Sequence, residues 1–181
     1  MRTTLIIGGA RSGKSRLAQE MARAAGGEVL FVATAEAGDD EMARRIEAHR
    51  RSRPAHWRTL EVTTGIGERI SVSIGRAGTV VIDCVTLLVN NVFEQHKAAG
   101  EAALEKAVEA EISALIECVG RAEADFIIVT NEVGLGIIPA DRVSRLYRDL
   151  LGRANQMLAA RADEVLLMVA GIPVAIKKPR A

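Results

Sequence analysis

Residues Gly8-Gly9-Ala10-Arg11-Ser12-Gly13-Lys14-Ser15 fit the pattern G-x-x-x-x-G-K-S, come directly after the apolar run Leu5 to Ile7, and lead into a helix-forming stretch. This is a phosphate-binding P-loop in its strand-to-helix setting. Glycine at Gly8, Gly9 and Gly13 lets the backbone curl until successive N–H groups converge on one point, and the following helix adds its positive dipole end there. Ala10, Arg11 and Ser12 complete the cradle. Lys14 is placed to reach the β- and γ-phosphates of a nucleoside triphosphate, and the Ser15 hydroxyl to complete the shell of a bridging Mg²⁺.

The bulk numbers bound the rest. A chain of 181 residues with 49% hydrophobic and 26% charged residues has the balance of a soluble globular protein, and residues 1–181 are expected to form one domain. A formal net charge of +1 supplies no general field for nucleic acid or an anionic membrane, and 3% aromatic content leaves few platforms for stacking bases. The basic residues divide into 19 Arg and 5 Lys, a bias toward planar, bidentate contacts with phosphate and carboxylate. Cys84 and Cys118 lack the spacing of a metal knuckle or a redox pair and read as buried free thiols. No apolar stretch is long enough to span a bilayer, and a strand directly at the N-terminus leaves no room for a signal peptide, so the expected location is cytoplasmic.

Strand-like runs occur at Thr3 to Ile7, Glu28 to Ala33, Thr79 to Asp83, Asp125 to Thr130, Glu164 to Val169 and Val174 to Lys177, most of them separated by segments of helical period. The alternation predicts a three-layer α/β fold with a mainly parallel sheet. Leu104, Val108, Ile112, Leu115 and Val119 fall on one stripe of a helix over Glu101 to Gly120. Asp141 reads as the N-cap of a helix carrying Val143, Leu146, Tyr147, Leu150, Leu151 and Leu158 inward. The Gly171-Ile172-Pro173 link predicts a tight turn into an antiparallel edge strand, and the polar stretch Glu94 to Glu101 an excursion from the fold. In such folds ligands gather at the carboxyl ends of the strands.

Thr79-Val80-Val81-Ile82-Asp83 ends an apolar strand in a carboxylate, making Asp83 the candidate to hold the metal from a neighbouring strand. Glu132, just past another strand, is a second candidate for water or metal contact. The segment Asp39 to Arg58 reads as a helix with an acidic start and a basic end, closed by Pro54. His49 shares a face with Met42 and Ile46, and two readings stand: a boundary residue on a packed stripe, or an imidazole kept neutral by Arg45, Arg50, Arg51 and Arg53 and therefore nucleophilic toward a phosphoryl group. His56, beside Trp57, reads as structural, and His96 has no partners in sequence.

Four blocks together go further: Gly8 to Ser15, Ala33 to Glu61 with Arg45-Ile46-x-x-His49-x-x-x-Arg53-Pro54-x-x-Trp57, Val80 to Asn91, and Val129 to Val165 with Asn131-Glu132-Val133-Gly134-x-Gly136-Ile137-x-Pro139. Over nearly its whole length the chain resembles the bifunctional adenosylcobinamide kinase/adenosylcobinamide-phosphate guanylyltransferases of cobalamin biosynthesis. The resemblance implies a RecA-like P-loop fold, a homotrimer, and two reactions. Adenosylcobinamide is phosphorylated by ATP or GTP, and GMP is then transferred from GTP to give adenosylcobinamide-GDP. It further implies that His49 is the guanylylated nucleophile, and that nucleotide contacts come from Gly8 to Ser15, from Ala33, Thr34 and Ala35, from Arg50, Arg51, Ser52 and Arg53, from Glu61 and from Asp83. With one P-loop serving two different phosphorus centres, the helix bearing His49 is expected to move between steps. Rival readings are a small-molecule kinase of adenylate-kinase type, with the Arg-rich segment as a lid and no covalent histidine, and a non-catalytic nucleotide switch.

Overall fold

Five runs of apolar residues line up side by side because strands covered on both faces must pair all their backbone polar groups. The computed structural model describes residues 1–36 and 40–179, the side chains at positions 41, 42, 45, 48, 49 and 52 excepted. In chain order the elements are β1 (Thr3–Gly8), α1 (Lys14–Ala25), β2 (Val29–Ala33), α2 (Asp40–Ser52), β3 (Arg58–Glu61), α3 (Ile66–Ser73), β4 (Thr79–Asp83), α4 (Val85–His96), α5 (Glu101–Arg121), β5 (Asp125–Asn131), α6 (Arg142–Arg161), β6 (Glu164–Val169) and β7 (Ile172–Lys177). They build one seven-stranded sheet of order β3-β2-β4-β5-β1-β6-β7. All pairings are parallel except β6 with β7.

Side chains alternate across this sheet. Leu5, Ile7, Leu30, Val32, Val80, Ile82, Phe126 and Ile128 enter a core closed by α3, α4, α5 and α6, whereas Ile6, Phe31, Val81, Ile127 and Val129 meet Ala18 and Ala22 of α1 on the opposite face. The predicted stripe on α5 is buried at Leu104, Val108, Ile112 and Leu115, and Val119 packs at its margin. Asp141 caps α6 by accepting a hydrogen bond from Ser144 N at 2.7 Å. Leu150, Leu151 and Leu158 of that helix are buried, but Val143 is 61% exposed: it lies in the first turn, beyond the margin of the core.

Two local expectations need correction, and a third element was not expected at all. Glu94 to Glu101 is no excursion, since α4 runs on to His96, a 3-10 turn fills Lys97–Ala99, and α5 begins at Glu101. The hairpin before the last strand turns at Ala170 and Gly171, both at positive φ (51° and 84°), so Ile172 and Pro173 already belong to β7. A two-residue turn with both φ values positive matches the twist of paired strands, and proline is tolerated because β7 is an edge. The third is the edge strand β3, whose four residues contain one apolar side chain, Leu60, and offer no hydrophobic run to read.

Helix α3 is seated by two contacts with α5. The Glu111 carboxylate accepts from Gly65 N (3.0 Å) and Ile66 N (2.8 Å), satisfying two orphan donors at the helix start. At Gly67 the backbones approach so closely that a β-carbon would lie 2.4 Å from the Ala114 carbonyl oxygen. Gly67→Ala is therefore expected to push α3 off α5 and destabilise the fold by about 1–3 kcal/mol, measured as a lowered urea midpoint at unchanged slope.

Candidate functional site

The strand ends of β1, β2, β4 and β5 open on one cavity of about 1220 Å³, larger than a nucleotide alone requires. Its floor is the P-loop. Between β1 and α1 the backbone turns through positive φ at Arg11 (55°) and Gly13 (94°), and the helix starts at Lys14 with its N–H groups facing the loop. The hairpin turn braces the loop from behind, Gly171 N donating to the Ser12 carbonyl at 3.1 Å. Lys14 is 7% exposed and its Nζ donates to the Gly9 carbonyl at 2.7 Å. Burial lowers its pKa, opposed by electrostatic coupling to Cys84 and Asp83. A partly desolvated ammonium gains most from an anion brought to it.

The opposite wall comes from α2. Ala43, Ile46, Glu47, Arg50 and Arg53 all border the cavity, the spacing of one helix face continued into the turn beyond its end. Arg50 forms an ion pair with Glu61 at the end of β3, and hydrogen bonding to that carboxylate raises its pKa. The Arg53 guanidinium lies 3.9 Å above the Phe31 ring, which in turn stacks on Trp57. Its pKa is lowered, first by burial and then by Arg50, while Asp83 and Glu61 oppose. Ser12 and Arg53 line this cavity, and their buried Oγ and Nε atoms have no hydrogen-bond partner among the described residues. Orphaned donors facing a cavity edged by Lys14 and Arg50 suit an oligophosphate.

Asp83 lies on the same rim, its charge acting on both Lys14 and Arg53. Ser15 borders it too, so two hard oxygen donors meet beside the phosphate seat, a set that fits Mg²⁺ completing its shell with phosphate and water. Among the described residues no group of three His, Cys, Asp or Glu could hold a metal by itself. Cys84 follows Asp83 across a cis peptide bond and lines the cavity as a thiol, pushed up to about 11 mainly by burial.

The structure thus brings Ala10, Arg11, Ser12, Gly13, Lys14, Ser15, Ala33, Ala35, Arg50, Arg53, Glu61 and Asp83 around one space. Gly8 and Gly9 form the loop beneath it without lining it. Thr34 is fully buried: its hydroxyl donates to the Cys84 carbonyl (2.7 Å) and accepts from Cys84 N (2.9 Å), so it ties β2 to β4 and presents Ala33 and Ala35. Arg51 turns to Glu47 at 2.9 Å and stays off the cavity wall. Position 49 belongs to α2, and the side chains of His49 and Ser52 lie outside the described residues.

Glu132 accepts from Gly134 N at 2.5 Å and is not on the wall. Tyr147 donates to the Thr86 carbonyl (2.9 Å), Arg145 to those of Pro139 and Ala140, and Asn155 is buried beneath β5, so all three pack or brace. Sequence reasoning missed Thr63, Thr64 and Arg69, which follow the unrecognised β3, and Thr86 and Asn131. The last two stand just past or at the ends of apolar strands, where the rule that ligands gather at strand ends would have found them.

Comparison with known proteins supplies the family. The family model for cobinamide kinase / cobinamide phosphate guanyltransferase matches residues 4–176. The bifunctional adenosylcobalamin biosynthesis protein CobU of Escherichia coli K12 is 45% identical, the alignment covering 96% of this chain and 98% of that protein. CobU of Salmonella typhimurium LT2 is 44% identical, with the same coverage of both chains. Among solved structures, the assembled type III secretion ATPase EscN superposes with a TM-score of 0.59 at 12% identity, over 93% of this chain and 43% of that one, a likeness of fold alone that marks this sheet as the RecA-like P-loop type. The chain belongs to the cobinamide kinase / cobinamide phosphate guanyltransferase family.

Proposed function

We propose that this one cavity serves both reactions of the family, phosphorylation of adenosylcobinamide and transfer of GMP from GTP to the resulting phosphate, with His49 as the group that carries GMP between them. The observation that carries the reading is that α2, the helix on which position 49 falls, and the turn directly after it supply Arg50 and Arg53 to the cavity that Lys14 and Asp83 also line. Imidazole attacks the α-phosphorus of GTP, the α–β phosphoanhydride breaks and pyrophosphate leaves. The phosphate of the acceptor then attacks the same phosphorus, the P–N bond breaks, and adenosylcobinamide-GDP departs with neutral imidazole restored. Guanidinium groups on both sides lower the cost of charge gathering on the phosphoryl oxygens.

ATP or GTP donates in the first reaction. In this reading the phosphates rest on Gly8 to Ser15, while Ala33, Ala35, Arg50 and Arg53 bound the nucleotide, and Glu61 orients Arg50. Ser15 and Asp83 would hold Mg²⁺, which supplies Lewis-acid neutralisation of the phosphates when bound. The chain works as one domain, residues 1–181, in the cytoplasm and as a homotrimer; no described helix is long and apolar enough to cross a membrane. Sedimentation velocity of the purified protein checks the trimer.

Incubation with GTP labelled in its α-phosphate tests the histidine. Wild type is expected to take up an acid-labile, base-stable label, and His49→Ala none while retaining kinase turnover; label persisting in His49→Ala puts the intermediate on another residue, and no label on wild type under any condition points to a kinase without covalent histidine chemistry. A second expectation concerns pH. Only the protonated Lys14 attracts phosphate, and burial depresses its pKa below the ordinary 10.5, so as pH rises triphosphate affinity starts to fall at a lower pH than a free lysine would dictate. Lys14→Arg should flatten that limb in a titration of the dissociation constant against pH.

A further inference from the structure

We propose that Asn131 reads the terminal phosphate of the bound nucleotide and stabilises it during transfer, so that it serves the kinase reaction and not the guanylyl transfer. Placement is the first argument. Strand β5 lies between β1, which feeds the P-loop, and β4, which ends in Asp83. The register sets Asn131 opposite Gly8, and Val129 opposite Asp83. Ile127 and Val129 face α1 while Phe126 and Ile128 face the other core, so the alternation brings Asn131 out on the P-loop side, where it lines the cavity.

The second argument is how firmly this residue is held. Its backbone N–H donates to Thr86 Oγ1 at 2.8 Å, and its carbonyl accepts from Asn155 Nδ2 at 3.0 Å. Asn155, 6% exposed, is itself fixed by the Thr130 hydroxyl at 2.7 Å, and the Thr86 carbonyl is held by Tyr147. Helices α4 and α6 thus spend buried polar side chains on locking one strand end. The side-chain amide of Asn131, by contrast, has no hydrogen bond to any described residue. A fixed backbone beneath an uncommitted donor is the construction of a preorganised contact.

Chemistry gives the selectivity. In the kinase reaction the acceptor hydroxyl oxygen bonds to the γ-phosphorus, the bond from that phosphorus to the β–γ bridging oxygen breaks with its electron pair leaving on the nucleoside diphosphate, and the hydroxyl proton passes to solvent. The γ-oxygens reorganise, and a neutral N–H donor that already holds them in the bound triphosphate binds them more strongly in the transition state. In guanylyl transfer the broken bond lies between α and β, and the γ-phosphate is a spectator. This inference rests on the reading that the triphosphate sits on the P-loop.

The test uses full-length wild type, Asn131→Ala and Asn131→Ser, measuring kinase turnover with ATP and adenosylcobinamide, guanylyl transfer from GTP to adenosylcobinamide phosphate, and equilibrium binding of ADP and of a non-hydrolysable ATP analogue. Asn131→Ala should lower kinase kcat by on the order of 10²-fold, leave guanylyl transfer within about twofold of wild type, and erase most of the preference for the ATP analogue while ADP affinity stays constant. Asn131→Ser, which keeps a short donor, should recover part of the kinase rate, and it carries the test if the alanine variant fails to fold. Equal losses in both reactions, or no loss in either, overturn the assignment. Failure of wild type to bind ADP would instead sink the P-loop reading beneath it.

Discussion

The parallel backbone ladder across β2, β4, β5 and β1 is the constraint on which everything else in this molecule depends. Parallel strands buried on both faces have no solvent to satisfy their N–H and C=O groups, so they must pair in register, and each must return over a helix to start again at the same end. All four therefore finish on one rim, and Ala33, Asp83, Asn131 and Gly8 arrive there side by side. The site is a by-product of satisfying the backbone. Because the ladder is welded from both sides by apolar clusters, the rim is stiff where the chemistry needs it.

What gathers on that rim is an excess of positive charge that the protein only partly compensates. Lys14 and Arg53 are both held with depressed affinity for their protons, burial being the leading cause in each case, and Asp83 is the carboxylate that opposes it in both. Such an arrangement carries a desolvation cost that an incoming phosphate chain offsets. The orphaned Ser12 Oγ and Arg53 Nε belong to the same account: polar atoms that folding leaves unpaired are those a ligand is meant to pair. At the phosphate seat, binding energy is thus stored as unsatisfied electrostatics.

The legibility of this design in the sequence follows the physics. The P-loop, the strand ending in Asp83 and the α5 stripe announce themselves because backbone sterics and burial on both faces force particular residue types at fixed spacing. Strand β3 does not, because an exposed edge places no demand on its side chains, and with it went Thr63, Thr64 and Arg69. Thr34 was legible as a site neighbour but not as a buried tie, since its partner, Cys84, lies fifty positions away across the sheet. Asn131 stood in a motif quoted for the family resemblance, yet its part could not be read until the strand order put β5 between the loop and the carboxylate. Spacing along a chain encodes local geometry well and adjacency between strands poorly.

One seat must present two different phosphorus atoms, and the contrast between the two walls shows how that is feasible. The P-loop wall is clamped by the sheet and by the β6–β7 hairpin, so the phosphate chain it grips has a fixed address. The α2 wall is held otherwise: among the described residues none of its side chains joins either apolar cluster, and the Arg50–Glu61 pair that ties it to the sheet is half-exposed on both sides. Pairs so exposed contribute little to holding an element in place. A rigid floor with a wall held by charge means that the nucleotide's own negative charge competes for the contacts that position α2. On the proposed reading, the choice of which phosphorus is attacked falls to the wall that carries position 49, while Asn131 stays with the floor.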